Sequence, residues 1–296
     1  MADGPSPSHG AAPRHALITG HTGFIGRRLG QRLERQGARV TGASRSSGVD
    51  LVRDDLPLGG VDHVYHLGGL SFVPDSWTDP AAFHLANTHG TVRVLDQCRR
   101  TGASMTFVST YVYGAGAPLP VSEAAAPDPA NPYAYSKLAA EEACRFFART
   151  FGVRVSMLRL FNAYGPGQGS SFLIPTIVRQ VLDPDTAEIV VADLAPRRDF
   201  VHVDDVVEAL LVAPGLPTGE VFNVGYGRSR SVAEVIEACL AAAGVVKPYR
   251  ARQERRDNEI SDVVADISAL SAAAGWRPRI DFGAGMKTVV EGAQSC

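Results

Sequence analysis

Two residues with acid–base side chains lie four positions apart near the middle of the chain. Tyr133 and Lys137 belong to a segment, 131–137, that reads Asn-Pro-Tyr-Ala-Tyr-Ser-Lys. On a helix they would lie on one face, one turn apart. A phenol has an ordinary pKa of about 10, and a nearby ammonium lowers that pKa because it favours the phenolate. The spacing predicts an acid–base pair that works near neutral pH, and the alternative is an exposed helical pair without a role.

The residues around this pair predict the helix that would position it. Asn131 is a typical N-cap residue. Pro132 suits the first helical turn, where its missing N–H group would have no partner in any case. The segment 137–143 that follows is rich in good helix formers.

The bulk composition excludes several classes of protein. The chain has 296 residues and a net charge of −2, which gives no case for nucleic acid or an acidic membrane surface. No apolar run approaches the roughly 20 residues needed to span a bilayer. Residues 1–13 lack the pattern of a signal peptide and predict a disordered tail. The four cysteines show no paired spacing and no metal-ligand pattern, so we expect reduced thiols, no metal and a cytoplasmic location.

A glycine-rich loop lies between the first predicted strand and the first predicted helix. The apolar run 15–19 leads into Gly20, Gly23 and Gly26, and a helical pattern follows. In a dinucleotide-binding loop the first glycine permits a tight turn, the second lets the backbone approach the pyrophosphate, and the third allows close helix–strand packing. We therefore predict a dinucleotide site, and the alternative is a glycine-rich turn without a ligand.

The end of the second predicted strand, 38–43, favours one form of the cofactor. NAD is usually held there by an Asp or Glu that binds the ribose hydroxyls. The chain has Ser44, Arg45 and Ser46 instead. These side chains could bind a 2′-phosphate through charge-assisted hydrogen bonds, which favours NADP over NAD. Alternatively, Arg45 stacks over the adenine or points to water.

Further positions along the chain are expected to surround the same cofactor. Asp50 and Leu51 fall where side chains beside the adenine are expected. A third strand, 61–67, runs into Gly68 and Gly69, whose backbone would lie beside the nicotinamide end. His66 on that strand is interpreted as a core histidine rather than a catalyst. Asn87 lies on a helix predicted from residue 80 to residue 98 and either fixes backbone near the site or faces solvent.

The order of the elements predicts an α/β fold. Strands over 104–110 and 153–160 alternate with helices, which is typical of βαβ units and a doubly wound parallel sheet. Ligands of such sheets bind at the carboxyl ends of the strands, and the fourth strand ends in the two hydroxyl residues Ser109 and Thr110. After residue 165 the alternation loosens into mixed elements, with a capping box at Ser231 and Glu234.

Taken together, these motifs resemble the extended short-chain dehydrogenase/reductase family, in its branch that modifies nucleotide sugars. The resemblance runs from about residue 16 to about residue 290. It rests on the glycine loop 19–26, the hydroxyl segment 109–114, the Tyr133–Lys137 pair, and the segments 159–166, 198–200 and 222–225. It implies a Rossmann fold over 14–165 plus about 199–228, with a smaller mixed α/β nucleotide-sugar domain over about 166–198 plus 229–296.

The resemblance also implies the roles of individual residues. Tyr133 would exchange a proton with a sugar hydroxyl or carbonyl, and Lys137 would hold the nicotinamide ribose and lower the tyrosine pKa. Ser109, four residues before Tyr113, is preferred over Thr110 as the hydroxyl that hydrogen-bonds the reacting oxygen. The predicted cofactor residues are Gly20, Gly23, Phe24, Ile25, Gly26, Ser44, Arg45, Ser46, Asp50, Leu51, Leu67, Gly68, Gly69, Asn87, Tyr133, Lys137 and Phe161. The predicted substrate residues are Ser71, Asn162, Arg198 and Arg256, with Arg197 and Arg255 as adjacent alternatives.

Departures from the family pattern narrow the implied reaction to hydride transfer at one sugar carbon, most often carbon 4. The family's dehydratases carry an acid just after the catalytic hydroxyl, and Thr110-Tyr111 supplies none. The double epimerases resembling GDP-fucose synthase carry a Cys there, and this chain has none at that place. Three hypotheses remain: an NADPH-consuming reductase of a nucleotide-linked 4-keto-6-deoxyhexose, a 4-epimerase that retains NAD, and a non-catalytic cofactor-binding protein. The resemblance further implies a homodimer formed through the helices near 81–100 and 138–150.

Overall fold

The computed structural model describes residues 13–254 and 260–295, which form alternating strands and helices. The strands are β1 (His15–Thr19), β2 (Arg39–Ala43), β3 (His63–His66), β4 (Ser104–Thr110), β5 (Val155–Leu160), β6 (Asn162–Tyr164), β7 (Ile189–Val191), β8 (Arg197–His202), β9 (Val221–Val224), β10 (Ser229–Ser231) and β11 (Tyr249–Ala251). The helices are α1 (Phe24–Arg35), α2 (Val73–Thr78), α3 (Pro80–Phe83), α4 (Gly90–Thr101), α5 (Pro132–Phe151), α6 (Leu173–Leu182), α7 (Val203–Val212), α8 (Val232–Ala243), α9 (Ser268–Ala274) and α10 (Phe282–Gln294). The predicted tail, 1–13, lies outside the described residues except for Pro13.

Six strands form one parallel sheet in the order β2-β1-β3-β4-β5-β9. The strands are short and mostly buried, as expected for a sheet covered on both faces. The predicted doubly wound α/β fold is therefore confirmed. Because the strands are parallel, the loops after β1, β2, β3 and β4 all leave from the same edge of the sheet.

Helices cover both faces of this sheet and enclose two hydrophobic cores. One core packs α1 and α7 against the sheet and includes Leu29, Leu33 and Leu210. The other packs α4 and α5 against the opposite face and includes Leu95 and Ala140. Burial of these apolar faces fixes α5, which carries Tyr133 and Lys137, against the sheet.

The C-terminal part of the chain has its own core. A three-stranded sheet has the order β10-β8-β6, and β7 pairs in parallel with β11. The helices α6, α8 and α10 share a third hydrophobic cluster with these strands. Residues 199–202, which the sequence placed with the first domain, belong to β8 and pair with this smaller sheet, whereas α7 and β9 join the large one.

The helical stretch predicted over 80–98 extends to residue 101 but is not uniform. A π-helical segment, His84–His89, lies between α3 and α4 and contains Asn87. π-Helical turns are rare in proteins overall, but those that occur are often found at functional sites. Asn87 is buried despite its polar side chain, which already distinguishes this turn from an ordinary surface helix.

Neither a membrane-spanning helix nor a metal-binding cluster is found among the described residues. No described helix is long and apolar enough to cross a membrane. In the same part of the chain no group of three or more His, Cys, Asp or Glu side chains could hold a metal ion. Cys98, Cys144 and Cys239 are buried and free, as predicted, while Cys296 and the cytoplasmic location are not tested by the structure.

Candidate active site

The helix that carries the acid–base pair begins as the sequence predicted. Asn131 is its N-cap, and its side-chain oxygen accepts a hydrogen bond from the Ala134 N–H at 2.8 Å. Pro132 occupies the first turn. This start places Tyr133 and Lys137 in the first two turns of α5, beside the carboxyl end of β4.

Tyr133 meets a hydroxyl group from that strand end. Its phenol interacts with the Thr110 side chain, and its ring lies edge-on to Phe83 with the centroids 6.2 Å apart. Burial raises the pKa of Tyr133 to about 12, and the Thr110 side chain acts in the opposite direction. The sequence predicted a pKa lowered by Lys137, and this prediction is wrong for the protein groups alone, since burial dominates. Tyr133 is accordingly a protonated phenol at neutral pH.

Lys137 is buried one turn further along α5. Its ammonium lies 4.1 Å from the centroid of the Phe107 ring. Burial lowers the pKa of Lys137 to about 8, while Cys144 and Glu141 act to raise it. The residue thus keeps a positive charge through neutral pH and loses it in mildly alkaline solution.

The structure reverses the choice between the two hydroxyls at the end of β4. Successive side chains of a strand point to opposite faces, so Ser109 and Thr110 cannot both face Tyr133. Ser109 donates its hydroxyl hydrogen to Glu141 Oε1 at 2.6 Å, in the buried layer behind the site. The hydroxyl that reaches Tyr133 belongs to Thr110. This arrangement favours Thr110 over Ser109, which was preferred because it lies four residues before Tyr113.

The glycine loop has the close approaches that its pattern predicted. Gly20 has a φ of 69°, in the left-handed region that favours glycine. A side chain on Gly26 would overlap the Gly20 carbonyl oxygen and lie 2.8 Å from His21 Cα, so only glycine fits. Phe24 and Ile25 start α1, and Ile25 packs against the core beneath it. The amino end of α1 is thereby held against the carboxyl end of β1, where its unpaired N–H groups suit an anion.

A cleft of about 320 Å³ opens beside this loop. It is lined by Gly20, Thr22, Ala43, Ser44, Arg45, Ser46, Val49, Asp50, Leu51, Val52, Gly68, Gly69, Leu70 and Ala86. It therefore brings together eight of the predicted cofactor residues from three separate loops. Thr22, Ala43, Val49, Val52, Leu70 and Ala86 were not predicted, because small or apolar loop residues carry no chemical signal of their own.

The turn after β2 is ordered by its serines. Ser44 caps the short 3₁₀ turn Arg45–Ser47, and its hydroxyl lies 2.9 Å from the Ser46 hydroxyl. Ser46 is also 2.9 Å from the Thr22 hydroxyl of the glycine loop. Arg45 is exposed at the rim of the cleft. This turn presents hydroxyls and one guanidinium where an acidic side chain would hold an unphosphorylated ribose.

The Asn87 side chain holds the loop that follows β3. The Asn87 side chain accepts a hydrogen bond from the Leu70 N–H at 2.8 Å and donates to the Leu70 carbonyl at 2.9 Å. It also donates to the Ser136 hydroxyl on α5 at 2.9 Å. Of the two alternatives for Asn87, the structure favours the one in which it fixes backbone near the site. Leu67 packs against the core, and Ser71 is exposed at the start of the next loop.

His66 is a core histidine, as predicted. Its two ring nitrogens are hydrogen-bonded to Thr19 at 2.7 Å and to Thr91 at 2.9 Å. Burial, with a smaller contribution from Lys137, lowers the pKa of His66 to about 3. The ring is therefore neutral and has no free nitrogen for proton transfer.

Two of the predicted substrate residues, Asn162 and Arg198, lie on the smaller sheet. Asn162 opens β6, and its side-chain amide donates to the Asp199 carbonyl at 3.3 Å. Arg198, on the adjacent β8, donates to the Ile260 carbonyl at 2.7 Å. Phe161 is buried against the rings of Tyr111 and Tyr113. Arg255 and Arg256 lie outside the described residues, so their predicted contacts are not tested.

Three buried charged residues near the site, Asp199, Glu141 and Arg159, were not predicted as site residues from the sequence. Asp199 accepts hydrogen bonds from the N–H groups of Tyr226, Gly227 and Ala265. Glu141 pairs with Arg159 inside the protein. The sequence contains a signal for the Glu141–Arg159 pair. An arginine within an otherwise apolar strand needs a buried partner, and Glu141 follows Lys137 by one helical turn.

Comparison with known proteins identifies the family. The model of the NAD dependent epimerase/dehydratase family matches residues 16–225. The chain belongs to this family. It is 33% identical to the GDP-6-deoxy-D-mannose reductase of Pseudomonas aeruginosa over 300 residues, covering 94% of this chain and 97% of the relative. It is 29% identical to the UDP-glucose 4-epimerase of Mycolicibacterium smegmatis, covering 93% and 97% of the two chains.

Among solved structures, the chain is similar to RMD from Pseudomonas aeruginosa complexed with NADPH. The TM-score is 0.86 at 31% sequence identity, and the match covers 96% of this chain and all of the other. The likeness therefore extends over both the large sheet and the smaller C-terminal part. Dependence on NAD or NADP follows from this family membership together with the glycine loop and the cleft beside it.

Proposed function

We propose that this protein is an NADPH-dependent reductase of a nucleotide-linked 4-keto-6-deoxyhexose. The observation that carries the proposal is the similarity to the GDP-6-deoxy-D-mannose reductase along nearly the whole length of both chains. The missing acid after Thr110 supports it, because the family's dehydratases carry an acid there. Tyr133 supports it as well, since ketone reduction requires a proton donor and Tyr133 is protonated at neutral pH.

The side chains of the site divide the work of the reduction. The bound cofactor supplies the hydride that is added to carbon 4 of the sugar. Tyr133 donates its phenolic proton to the oxygen of that carbon, so the carbonyl becomes a hydroxyl and the phenol becomes a phenolate. Thr110 hydrogen-bonds the same oxygen and interacts with the phenol. Lys137, positively charged at neutral pH, stabilises the resulting phenolate and holds the nicotinamide ribose.

Turnover distinguishes the reductase from its main alternative. The protein would be incubated with NADPH and, in separate reactions, with GDP-, UDP- and dTDP-linked 4-keto-6-deoxyhexoses, and both NADPH and the sugar product would be measured. We expect NADPH to be consumed in a one-to-one ratio with the 4-hydroxy product. In parallel reactions with nucleotide-linked 4-hydroxy hexoses, interconversion of the two 4-epimers without net loss of NADPH would instead establish the epimerase. That alternative is favoured by the likeness to the Mycolicibacterium smegmatis enzyme.

The turn after β2 leads to a prediction about cofactor choice. Arg45→Ala is expected to weaken NADPH binding by about 10- to 100-fold, the loss typical of a charge-assisted hydrogen bond. NADH binding should change by less than about twofold, because NADH has no 2′-phosphate for Arg45 to bind. Fluorescence titration with each cofactor measures both constants.

The matched control lies at the other end of the same strand. Arg39 is also exposed but starts β2, whereas Arg45 follows its carboxyl end. Arg39→Ala removes the same charge and should leave both affinities unchanged. Equal losses for NADPH and NADH in Arg45→Ala would contradict the 2′-phosphate assignment.

We also propose a homodimer formed through the helical segments that the family resemblance implied. Large apolar side chains are exposed there: Leu85 in the π-helical segment, and Tyr135, Phe146 and Phe151 on α5. The rings of Phe146 and Phe151 contact each other with their centroids 5.7 Å apart, and exposed apolar side chains grouped in this way are typical of protein interfaces. Light scattering of the purified protein measures the mass, and a monomer at micromolar concentration would contradict the proposal.

A further inference from the structure

A buried carboxylate lies behind the acid–base pair. Glu141 is fully buried, and its two oxygens accept four hydrogen bonds. Arg159 donates from Nε at 3.0 Å and from Nη2 at 2.7 Å. Ser109 donates at 2.6 Å, and Arg145 donates from the solvent side at 3.1 Å. None of these four residues has a part in the proton transfer proposed above.

The contacts of Glu141 connect the elements on which the site is built. Glu141 lies on α5, one turn beyond Lys137 and two turns beyond Tyr133. Ser109 is the neighbour of Thr110 on β4, and Arg159 lies on β5. The carboxylate thus ties the helix that carries the tyrosine to the strand that carries its hydroxyl partner.

The cluster continues away from the site and is held at both ends. Arg159 Nη1 donates to the Tyr113 hydroxyl at 2.9 Å, and that hydroxyl donates to Asn223 Oδ1 at 2.8 Å. The Asn223 N–H donates to Glu123 at 2.7 Å. A buried network in which every member has a partner is rigid. The Glu141 side chain therefore fixes α5 to β4 and β5, so that the helix cannot slide or rotate freely against these strands.

Stability alone does not account for such a cluster. A buried ion pair loses the hydration of both charges, and well-packed apolar residues in its place are often as stable or more so. The core around α5 is otherwise apolar, with Ala140 and Cys144 as the neighbours of Glu141. A leucine–methionine contact could join α5 to β5, but it could not accept the Ser109 hydrogen bond or supply a charge.

The charge matters because of what surrounds Lys137. Cys144 and Glu141, both on α5, act to raise the pKa of Lys137, and Lys137 in turn acts to lower the pKa of His66 on β3. The phenol of Tyr133 lies one turn before it, and β4 contributes the uncharged ring of Phe107. Burial keeps His66, Cys144 and Tyr133 neutral at neutral pH, because it lowers the pKa of the histidine and raises those of the thiol and the phenol. Among these groups, Glu141 supplies the negative charge, and the guanidinium groups of Arg159 and Arg145 pair with it.

We propose that Glu141 is a positioning residue for the reaction, acting in two ways. Through Ser109 it fixes the register between α5 and β4, and hence the contact between Tyr133 and Thr110. Through its charge, one helical turn from Lys137, it favours the ammonium form of that lysine. Ser109, which the sequence marked as the catalytic hydroxyl, serves as the link in this arrangement rather than as a group that touches the substrate.

Two variants separate the two effects. Ser109→Ala removes one hydrogen bond and leaves the charge of Glu141 in place. We expect its kcat to fall by about tenfold while KM changes less than twofold, because misplacing a catalytic contact affects the transition state more than substrate binding. Glu141→Gln removes the charge as well, and its kcat should fall further.

The charge effect has a readout that needs no sugar substrate. NADPH affinity would be measured by fluorescence between about pH 6 and about pH 10, a range that includes the Lys137 pKa. Lys137 is cationic below its pKa of about 8, so affinity for the anionic cofactor should decline as the pH rises through that value. Glu141→Gln lowers the Lys137 pKa further, and the midpoint of the decline should move down by about 1 pH unit. Ser109→Ala should leave the midpoint unchanged.

Two more variants complete the test. Arg149 lies two turns beyond Glu141 on α5 and is exposed, so Arg149→Ala is the control and should change neither kcat nor the midpoint. Glu141→Asp keeps the charge, and it should restore the midpoint without fully restoring kcat. It also covers the outcome in which Glu141→Gln fails to fold because Arg159 loses its partner.

The kcat part of this proposal rests on the proposed function. The results that would overturn the proposal differ from those that would overturn the proposed function. Unchanged kcat in both Ser109→Ala and Glu141→Asp, with folding intact by thermal unfolding, would rule out the register effect. An unchanged midpoint in Glu141→Gln would rule out the charge effect. If no sugar is reduced, the proposed substrate is wrong, and the pH dependence of NADPH binding still decides the role of the charge.

Discussion

Replacement of Tyr133 by phenylalanine is expected to lower kcat by about 10³-fold, within the range typical for loss of a general acid. Phenylalanine keeps the ring and its edge-on contact with Phe83 but has no proton to give to the sugar oxygen. The contact with Thr110 is lost at the same time. Cofactor affinity should change little, because the cleft beside the glycine loop is untouched. Single-turnover reduction and NADPH titration measure the two quantities separately.

Tyr135 provides the matched control for this variant. It lies two residues further along α5 and is 55% exposed, with its ring against His84. Tyr135→Phe removes the same hydroxyl from the same helix and should retain full activity. Substantial activity in Tyr133→Phe would mean that the proton comes from another group.

A single methyl group in the glycine loop should have the second large effect. In Gly26→Ala the new methyl would overlap the Gly20 carbonyl oxygen, which belongs to the backbone and cannot move without displacing the loop. Overpacking of this kind typically costs about 1–3 kcal/mol, so we expect NADPH affinity to fall by about 10- to 100-fold. Titration calorimetry with NADPH measures the change.

Gly30, one turn further along α1, separates the loop effect from a general effect on the helix. A methyl group there would lie 3.7 Å from Ile18 Cδ1, which is an ordinary contact. Gly30→Ala should bind NADPH normally and be somewhat more stable, because alanine favours helix more than glycine. Normal NADPH affinity in Gly26→Ala would mean that the loop tolerates the displacement and that its glycine is not required.

The parts of the site governed by local chemistry could be predicted from the sequence. Asn131 and Pro132 marked the start of α5, and the glycine spacing marked the turn between β1 and α1. The capping box at Ser231 and Glu234 formed as expected at the start of α8. In each case, neighbouring residues satisfy backbone groups in a way that depends little on the rest of the fold.

What could not be predicted depends on packing between distant segments. Strand alternation implies that one of Ser109 and Thr110 faces Tyr133, but the sequence does not reveal on which face of β4 the helix α5 will pack. The pKa of Tyr133 depends on how deeply the phenol is buried, and spacing along a helix carries no such information. Arg159 is a partial exception. Its place within an apolar strand predicts a buried acidic partner, but the sequence does not show whether that partner is Glu141 or its neighbour Glu142.

The π-helical segment His84–His89 has a consequence for how this protein tolerates change. A turn with one residue more than an α-helical turn shifts every later side chain by about 100° around the helix axis. Removal of one residue from this segment would restore regular winding, and Asn87 would swing away from the Leu70 backbone that it now holds on both sides. The segment would become regular α-helix, but the loop beside the cofactor cleft would lose its hydrogen bonds to Asn87. Length in this short stretch is therefore constrained more tightly than composition.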